Sequence, residues 1–321
     1  MTYDACWATT GPPSVRRTAP RWSAATRSAP RVPTWSRTWR GWVAVPHEDA
    51  RELADGVWWL GGCLRATAAD GPVHYHVSTY LVVGETHTFL LDSGDPAHEA
   101  AVLRGIAEVL GDRPLDYVFP THPEIPHAGN IPALVAAYPG LRIAGDVRDY
   151  HLYWPHLADR LVPMAAGDVL DLGGRSIEVH AAHIRDLHNT LWAFDTASRM
   201  LFVSDGFAFI HEFSPEDLED DEPIHREGQC RLTSRELGDA VTVDAAAYGA
   251  GRSLYWTRFV DVTEAFAVIE RLLDEKDVRL IGPAHGAVID DVAQGLRVAL
   301  GAHRKVFGES SGAMAPLTEG V

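Results

Sequence analysis

The chain has 321 residues, of which 46% are hydrophobic and 22% are charged, and its formal net charge at pH 7 is -16. This composition is typical of a folded protein with a sizeable core and excludes a wholly disordered or fibrous chain. No apolar run approaches the ~20 residues that span a bilayer, and the negative charge repels nucleic-acid phosphates. We therefore expect neither a membrane nor a nucleic acid as a partner.

Cysteine and histidine usage point to the compartment and to the kind of site. The three cysteines, Cys6, Cys63 and Cys230, are widely spaced and odd in number. They predict neither a disulfide framework nor a thiolate zinc site, and they fit a reducing cytoplasm. The 16 histidines are the unusual component, because imidazole is the commonest protein ligand for metals.

The first 45 residues differ in composition from the rest of the chain. They contain seven arginines, five prolines and five tryptophans but only one acidic residue, Asp4. No periodicity in this stretch could bury an apolar face. We predict an extension without fixed structure over residues 1–45 and a single domain over residues 46–321.

The hydrophobic pattern of the remaining chain alternates between strands and helices. Strands are predicted at residues 57–60, 78–83, 86–91, 117–119, 141–144, 176–179, 190–195, 200–203 and 278–281. Helices are predicted from a cap at Asp95 to Leu110, at residues 130–138, and from a reciprocal capping pattern at Asp261 to Leu273. Residues 206–260 give no clear pattern.

Side chains suited to metal binding follow the predicted strands throughout the chain. They are Asp92, His122, Glu124, His127, His183, Asp205 and His285. The carboxyl ends of strands form one edge of an open α/β sheet, so we expect these residues to converge. Imidazole and carboxylate together favour zinc, iron or manganese over calcium or magnesium. The sequence therefore predicts a site for one or two transition-metal ions.

Three of these side chains lie within one short segment. His122, Glu124 and His127 occur in the run Thr-His-Pro-Glu-Ile-Pro-His. Pro123 and Pro126 favour a loop here over the zinc-binding helix of an HExxH motif.

The order of these motifs resembles the metallo-β-lactamase superfamily over roughly residues 55–290. It consists of Asp92, the HxExxH run at 122–127, a histidine near 183, Ser-Asp-Gly at Asp205 and Pro-Ala-His-Gly at His285. The resemblance implies an α/β fold of four layers, an αββα sandwich, with the metal site at one edge of its two sheets.

Within this superfamily the chain is most similar to the flavodiiron and oxygen-binding diiron branch. Glu124 stands where the hydrolases have the second histidine of HxHxDH, and a carboxylate there suits iron better than zinc. The resemblance implies that His122, Glu124 and His183 hold one metal, that His127 and His285 hold the other, and that Asp205 bridges them.

Two positions depart from the pattern of the family. Pro126 replaces an aspartate and cannot bind a metal, which leaves the second ion with fewer protein ligands or removes it. His183 and His188 both precede Asn189, and neither has the family's spacing. We favour His183, which directly follows its strand, and keep His188 as an alternative ligand or as a residue that orients one.

Two further residues are expected near the metals without binding them in the main assignment. Asp92 is expected to accept hydrogen bonds beneath the metal centre. His76 could hydrogen-bond a bound molecule or could be an ordinary strand-edge histidine.

Three functions are compatible with these residues. The first is a nonheme iron or diiron oxidoreductase that binds or reduces O2 or NO, or oxidises a small organic substrate. The 36 residues after His285 are too few for a flavodoxin domain, so electrons would come from a separate donor or from the substrate.

The second function is a zinc hydrolase of an ester, thioester or lactone, in which the metal would activate water. The third is a binding module that keeps a metal for stability alone. Related diiron proteins commonly form dimers, so we also expect a homodimer.

Overall fold

Two β-sheets and their flanking helices form the part of the chain that the structure, a computed structural model, describes. This part comprises residues 43–46, 50–68, 71–209 and 229–313. Residues 1–42 of the expected N-terminal extension lie outside it. The boundary at residue 45 therefore stays a prediction.

The strands run through the described residues in the following order. They are β1 Val43–Pro46, β2 Arg51–Ala54, β3 Val57–Ala68, β4 Gly71–Val83, β5 Thr88–Leu91, β6 Tyr117–Phe119, β7 Arg142–Gly145, β8 Leu161–Pro163, β9 Val169–Asp171, β10 Ser176–Ala181, β11 Leu191–Asp195, β12 Met200–Ser204 and β13 Leu280–Pro283.

Four of the helices in the described ranges are short, and α1, α6, α7 and α8 are longer. They are α1 Glu99–Leu110, α2 Ile125–Ala128, α3 Ile131–Ala137, α4 Tyr150–Tyr153, α5 Ser234–Leu237, α6 Val243–Ser253, α7 Thr263–Glu275 and α8 Val292–Ala313. None of the helices in the described ranges is long and apolar enough to cross a membrane.

The two sheets divide the chain between them. The first sheet has the order β1-β3-β4-β5-β6-β7-β8, with β2 also paired to β3, and the second has the order β13-β12-β11-β10-β9. The pairs β5–β6 and β12–β13 are parallel, so within each pair the carboxyl ends lie at the same edge. The candidate site lies at these two edges.

Alternation along the strands explains the layers on the first sheet. Leu81, Leu90 and Val118 belong to one core, which they share with Val102 and Ile106 of α1. Because successive side chains of a strand point to opposite faces, their neighbours point the other way.

The neighbouring residues form the core between the sheets. Tyr80, Phe89 and Phe119 of the first sheet share it with Trp192 and Phe202 of the second. Phe266 and Ile269 of α7 extend the same core on the far side of the second sheet. The predicted fold class, an α/β sandwich of two sheets with helices outside them, is confirmed.

Most predicted elements occur with shifted ends, and some local predictions are wrong. The strand at Tyr117–Phe119 is observed with its predicted bounds. The segment after it is not entirely a loop, because α2 begins at Ile125 with Pro126 in its first turn. The reciprocal capping pattern at Asp261 does not form: Asp261 accepts a hydrogen bond from the Thr263 amide, but Val262 is the residue at the cap.

The region without a clear sequence pattern contains helices where the structure describes it. A capping box between Thr233 and Glu236 starts α5, and the side chain of Thr242 caps α6. The long helix α8 was also not predicted. The acidic run at residues 212–222 lies outside the described residues.

Candidate metal centre

The candidate site lies where strands of both sheets end. Asp92 directly follows β5, and Thr121 follows β6 after Pro120. Asp205 directly follows β12, and its neighbour Ser204 has a left-handed backbone with φ 51°. His285 lies two residues after the end of β13, and the last residue of that strand, Pro283, pairs with Ser204 of β12.

The rings of His122 and His127 are oriented through their Nδ1 atoms. Nδ1 of His122 lies 3.1 Å from the hydroxyl of Ser204. Nδ1 of His127 lies 3.0 Å from Oδ2 of Asp92. The other oxygen of Asp92 accepts hydrogen bonds from the amide and hydroxyl of Thr121, at 2.7 and 2.9 Å. Both histidines are therefore held from behind, which directs Nε2 into the site.

His285 is oriented in the same manner by a backbone group. Its Nδ1 lies 2.7 Å from the carbonyl oxygen of His76. Nδ1 of His76 in turn lies 2.9 Å from the carbonyl oxygen of Gly286. The β4 strand thus fixes the loop that carries His285.

Asp205 lies among the Nε2 atoms of the three histidines. Its Oδ1 is 3.3 Å from Nε2 of His285 and 3.6 Å from Nε2 of His127. Its Oδ2 is 4.0 Å from Nε2 of His122. The two oxygens of one carboxylate thus face different histidines, which is the arrangement of a bridging ligand.

Several of these atoms are buried and lack a hydrogen-bond partner in the described part of the chain. They are Nε2 of His122, Nε2 of His127 and Oδ1 of Asp205. A buried polar atom without a partner costs about 1–3 kcal/mol, so such atoms rarely gather at one point without a ligand. His122, His127 and Asp205 form one group that could hold a cation, and the site residues therefore fit a metal ion.

Two more carboxylates approach His122. Nε2 of His122 lies 3.4 Å from Oδ2 of Asp186 and 3.8 Å from Oε2 of Glu124. Asp186 is nearly buried, whereas 54% of the Glu124 side chain is exposed. His122, Glu124 and Asp186 form a second group able to hold a cation, and it shares His122 with the first.

The charges at the site are strongly coupled. Burial alone lowers the pKa of His127, but the carboxylates of Asp92 and Asp205 outweigh it and raise this pKa to about 9. Burial and the neighbouring Asp205 raise the pKa of Asp186. Carboxylates this close repel each other when ionised, and a cation between them would remove that repulsion.

The structure separates the two histidines between which the sequence left a choice. His183 is half-buried, and its ring packs edge-on against Trp192 with the centroids 6.0 Å apart. His188 is exposed. Neither belongs to a group of converging ligands among the described residues, and Asp186 in the same loop is the side chain that reaches His122. The structure thus brings neither histidine into these groups, and the preference for His183 stays a prediction.

The structure therefore brings five of the predicted site residues together, and it adds a sixth that the sequence analysis did not name. His122, Glu124, His127, Asp205 and His285 are the five that converge. Asp186 is the sixth, and its only signal was its position in a loop that follows a strand at the site. Asp92 and His76 contact the histidine rings from behind, Asp92 through its carboxylate and His76 through its backbone.

A family model described as the metallo-beta-lactamase superfamily matches residues 73–285 of the chain. Two proteins named coenzyme F420H(2) oxidase are also similar to it. The protein from Methanothermobacter marburgensis is 23% identical over 262 residues, and that from Methanocaldococcus jannaschii is 25% identical over 257 residues. Each match covers 75% of this chain but only 58% and 57% of the relatives, so the chain spans less than two thirds of their length.

Solved structures of similar fold cover most of the chain. The rubredoxin oxygen:oxidoreductase from Desulfovibrio gigas aligns with a TM-score of 0.58 and 20% identity, over 82% of this chain and 61% of that one. The flavodiiron protein from Giardia intestinalis aligns with a TM-score of 0.56 and 16% identity, over 82% of this chain and 59% of that one. At these identities the likeness concerns the fold.

Proposed function

Because the chain belongs to the metallo-beta-lactamase superfamily, as its motifs predicted, we propose that it is an oxidoreductase whose centre holds one or two iron ions and binds or reduces O2 or NO. The relatives named as oxidases and as a flavodiiron protein support this choice within the superfamily. Oxidation of a small organic substrate by O2 is a variant of the same proposal.

One observation carries the proposal. Nε2 of His122, Nε2 of His127 and Oδ1 of Asp205 are buried, close together and without hydrogen-bond partners in the described residues. The surrounding donors are three imidazoles and three carboxylates, a mixture that suits nonheme iron. Ferrous iron, when bound there, would supply open coordination positions where a diatomic molecule can bind and accept electrons.

The residues of the chain divide the work of the centre. His122, Glu124 and Asp186 would hold one ion, while His127 and His285 would hold the other, with Asp205 shared between them. Asp92, Ser204 and the His76 carbonyl keep the three rings oriented so that Nε2 faces the ions.

The two sides of the centre differ in how many protein ligands they offer. Pro126 lies in the first turn of α2 and offers none, so His127, His285 and Asp205 would be the ligands of the second ion. Three protein ligands leave room for a small molecule to bind. The exposed carboxylate of Glu124 places the opposite side of the centre next to solvent, which gives a gas or proton a short path to it.

The partners follow from the reaction. Reduction of O2 consumes electrons, so we propose a separate electron donor or an oxidisable small substrate. We also propose a homodimer. Tyr255, Phe259 and Val260 are 64%, 66% and 48% exposed, and burying their apolar surface against a second copy would be favourable. The cytoplasm remains the proposed compartment.

The test is anaerobic loading of the full chain with ferrous iron, followed by exposure to NO and to O2. We expect one to two irons per chain and a change in the optical and paramagnetic resonance spectra with either gas. The variant His285→Ala should bind less iron and respond less, whereas replacement of the exposed His151 by Ala should change neither. An iron-loaded protein whose spectra stay unchanged with both gases would contradict the proposal.

A parallel preparation loaded with zinc distinguishes a hydrolase from the proposed oxidoreductase. Zinc-loaded protein that turns over esters, thioesters or lactones, together with the absence of any gas response, would replace the oxidoreductase by a hydrolase. A metal that raises the melting temperature without either activity would favour the binding module.

A further inference from the structure

A second cluster of metal-type ligands includes a residue of β4, the strand whose His76 carbonyl oxygen orients His285. Cys63 is on β3, His74 is on β4, and Cys230 is in a 3₁₀ turn at Gln229–Arg231. One ligand atom from each of the three lies within 4.8 Å of the others. Sγ of Cys230 is 3.1 Å from Nε2 of His74.

The register of the β3–β4 hairpin explains how two of these residues meet. Cys63 pairs with His76, and residue 65 pairs with His74, in antiparallel strands. Residues two apart on a strand share a face, so Cys63 and His74 are diagonal neighbours on one face of the hairpin. Cys230 reaches the same point from a segment far away in the sequence.

All three side chains are removed from solvent. Cys63 and His74 are each 1% exposed, and Cys230 is 4% exposed. A buried cysteine by itself is usually a small apolar core residue. Two cysteines and a histidine that converge from three segments are a different case, because thiolate and imidazole are the ligands of zinc.

We propose that Cys63, His74 and Cys230 bind one zinc ion as a second site, separate in ligands from the His and carboxylate centre. Two thiolates and one imidazole provide three of the four positions of a tetrahedral zinc ion. On binding, each thiol loses its proton, and the two thiolates balance the charge of the ion.

The expected role of this ion is to join separate parts of the chain. It links the β3–β4 hairpin to the turn at Cys230, which leads into α5. The hairpin also carries His76, whose carbonyl oxygen orients His285. The site would thus stabilise the strand that positions one ligand of the first centre.

Sequence reasoning did not expect a thiolate site, because no two cysteines are spaced as a CxxC pair. The proposal replaces that expectation, since spacing along the chain says nothing about cysteines that meet only after folding. In the structure no disulfide joins Cys63 to Cys230.

The test uses cobalt(II) as a probe that takes the place of zinc. Cobalt bound to thiolate gives a sulfur-to-metal charge-transfer band in the near ultraviolet, which imidazole and carboxylate ligands do not give. We expect this band in the full, reduced chain, and its loss in the variants Cys63→Ser and Cys230→Ser. The matched control is Cys6→Ser, which removes the third thiol and should keep the full band.

The two centres are tested independently. A chain carrying His122→Ala and Asp205→Asn should lose its iron and still show the charge-transfer band at unchanged intensity. Failure of the iron proposal would then leave the second site standing, and the reverse also holds.

A second measurement covers variants that fail to fold. X-ray absorption of the zinc-loaded wild-type chain should show sulfur neighbours at about 2.3 Å from the zinc. Zinc bound only by nitrogen and oxygen would overturn the proposal. So would a disulfide, which would appear as one free thiol instead of three in the denatured wild-type chain purified without reductant.

Discussion

Oδ2 of Asp186 lies 3.4 Å from Nε2 of His122. Its other oxygen accepts hydrogen bonds from the amide of Leu187 at 2.8 Å and from the hydroxyl of Thr190 at 3.1 Å. These two hydrogen bonds fix the orientation of the Asp186 carboxylate. In the proposed centre Asp186 therefore takes the position for which the sequence analysis favoured His183 and kept His188 as an alternative.

The variant Asp186→Asn is expected to bind iron at least about tenfold more weakly, because it removes the negative charge of a proposed ligand. Loss of a residue that only orients a ligand already lowers metal affinity by about that factor. His183→Ala and His188→Ala should each bind iron with nearly wild-type affinity. The measurement is an anaerobic iron titration of the three variants and of the wild type. Weak binding by His183→Ala beside normal binding by Asp186→Asn would restore the sequence assignment.

Asp92→Asn is expected to weaken iron binding by about 10- to 100-fold although Asp92 is not a proposed ligand, because its carboxylate orients the His127 ring. The matched control is Asp116→Asn, which lies before β6 at the opposite end of the parallel β5–β6 pair. Asp116 accepts a hydrogen bond from the amide of Thr88 and lies outside the group of converging ligands. Its replacement should lower the melting temperature and leave iron affinity unchanged, and equal losses of affinity in the two variants would argue against the orienting role.

His303 predicts a loss of stability in mild acid. Burial lowers the pKa of His303 from 6.5 to about 4, and the ring lies against Phe266 and the hydroxyl of Thr257. Between pH 6.5 and 4 the unfolded chain takes up a proton that the folded chain refuses, so the free energy of unfolding falls as the pH falls.

The size of this effect follows from the shift. Relative to His303→Asn, the wild type should lose about 2–3 kcal/mol between pH 7 and pH 4, at roughly 1.4 kcal/mol per unit of pKa difference. Urea unfolding of both proteins at several pH values measures it. Parallel curves for the two proteins would show that His303 is not the group responsible.

Gly84→Ala is expected to destabilise the contact between the two sheets. A Cβ at Gly84 would lie 2.2 Å from the carbonyl oxygen of Leu172, and the adjoining amides of Glu85 and Thr86 bond to Gly173 and Leu172 across the same contact. Backbone cannot yield as a side chain does, so we expect a loss of about 1–3 kcal/mol or more.

The control for this prediction is Gly140→Ala, because nothing lies within 4 Å of a Cβ at Gly140. Thermal unfolding should show a clear drop in melting temperature for Gly84→Ala and little change for Gly140→Ala. Equal melting temperatures would show that the sheets separate without cost at this point.

Much of the fold was predictable because its strands alternate with helices in clear periods. The strand at Tyr117–Phe119 forms with its predicted bounds, and the predicted helix α1 buries Ala101, Val102, Ile106 and Leu110. The helix α8 escaped prediction because it includes Gly295, Gly301 and Gly308, which weaken a helical pattern although the helix forms by packing on α6.

Some residues of the proposed centre were predictable because they follow a strand within a residue or two, although His183 meets the same condition and does not join the group. Asp92 and Asp205 meet this condition directly, and His285 meets it after β13. Asp186 does not, because it lies in the loop between β10 and β11, where the path of the backbone decides which side chain turns inward. A sequence pattern holds no information about that path, so the sequence analysis chose between His183 and His188 and did not consider Asp186.

The proposed ligands of the centre come from both sheets, with His122 and His127 following strands of the first sheet and Asp205 and His285 following strands of the second. Under the proposed function, iron binding and docking of the two sheets are therefore thermodynamically linked. A substitution that separates the sheets is expected to weaken iron binding. Bound iron is expected to stabilise the docked sheets by the same coupling free energy. A fragment that ends after β8 will lack half of the ligand set.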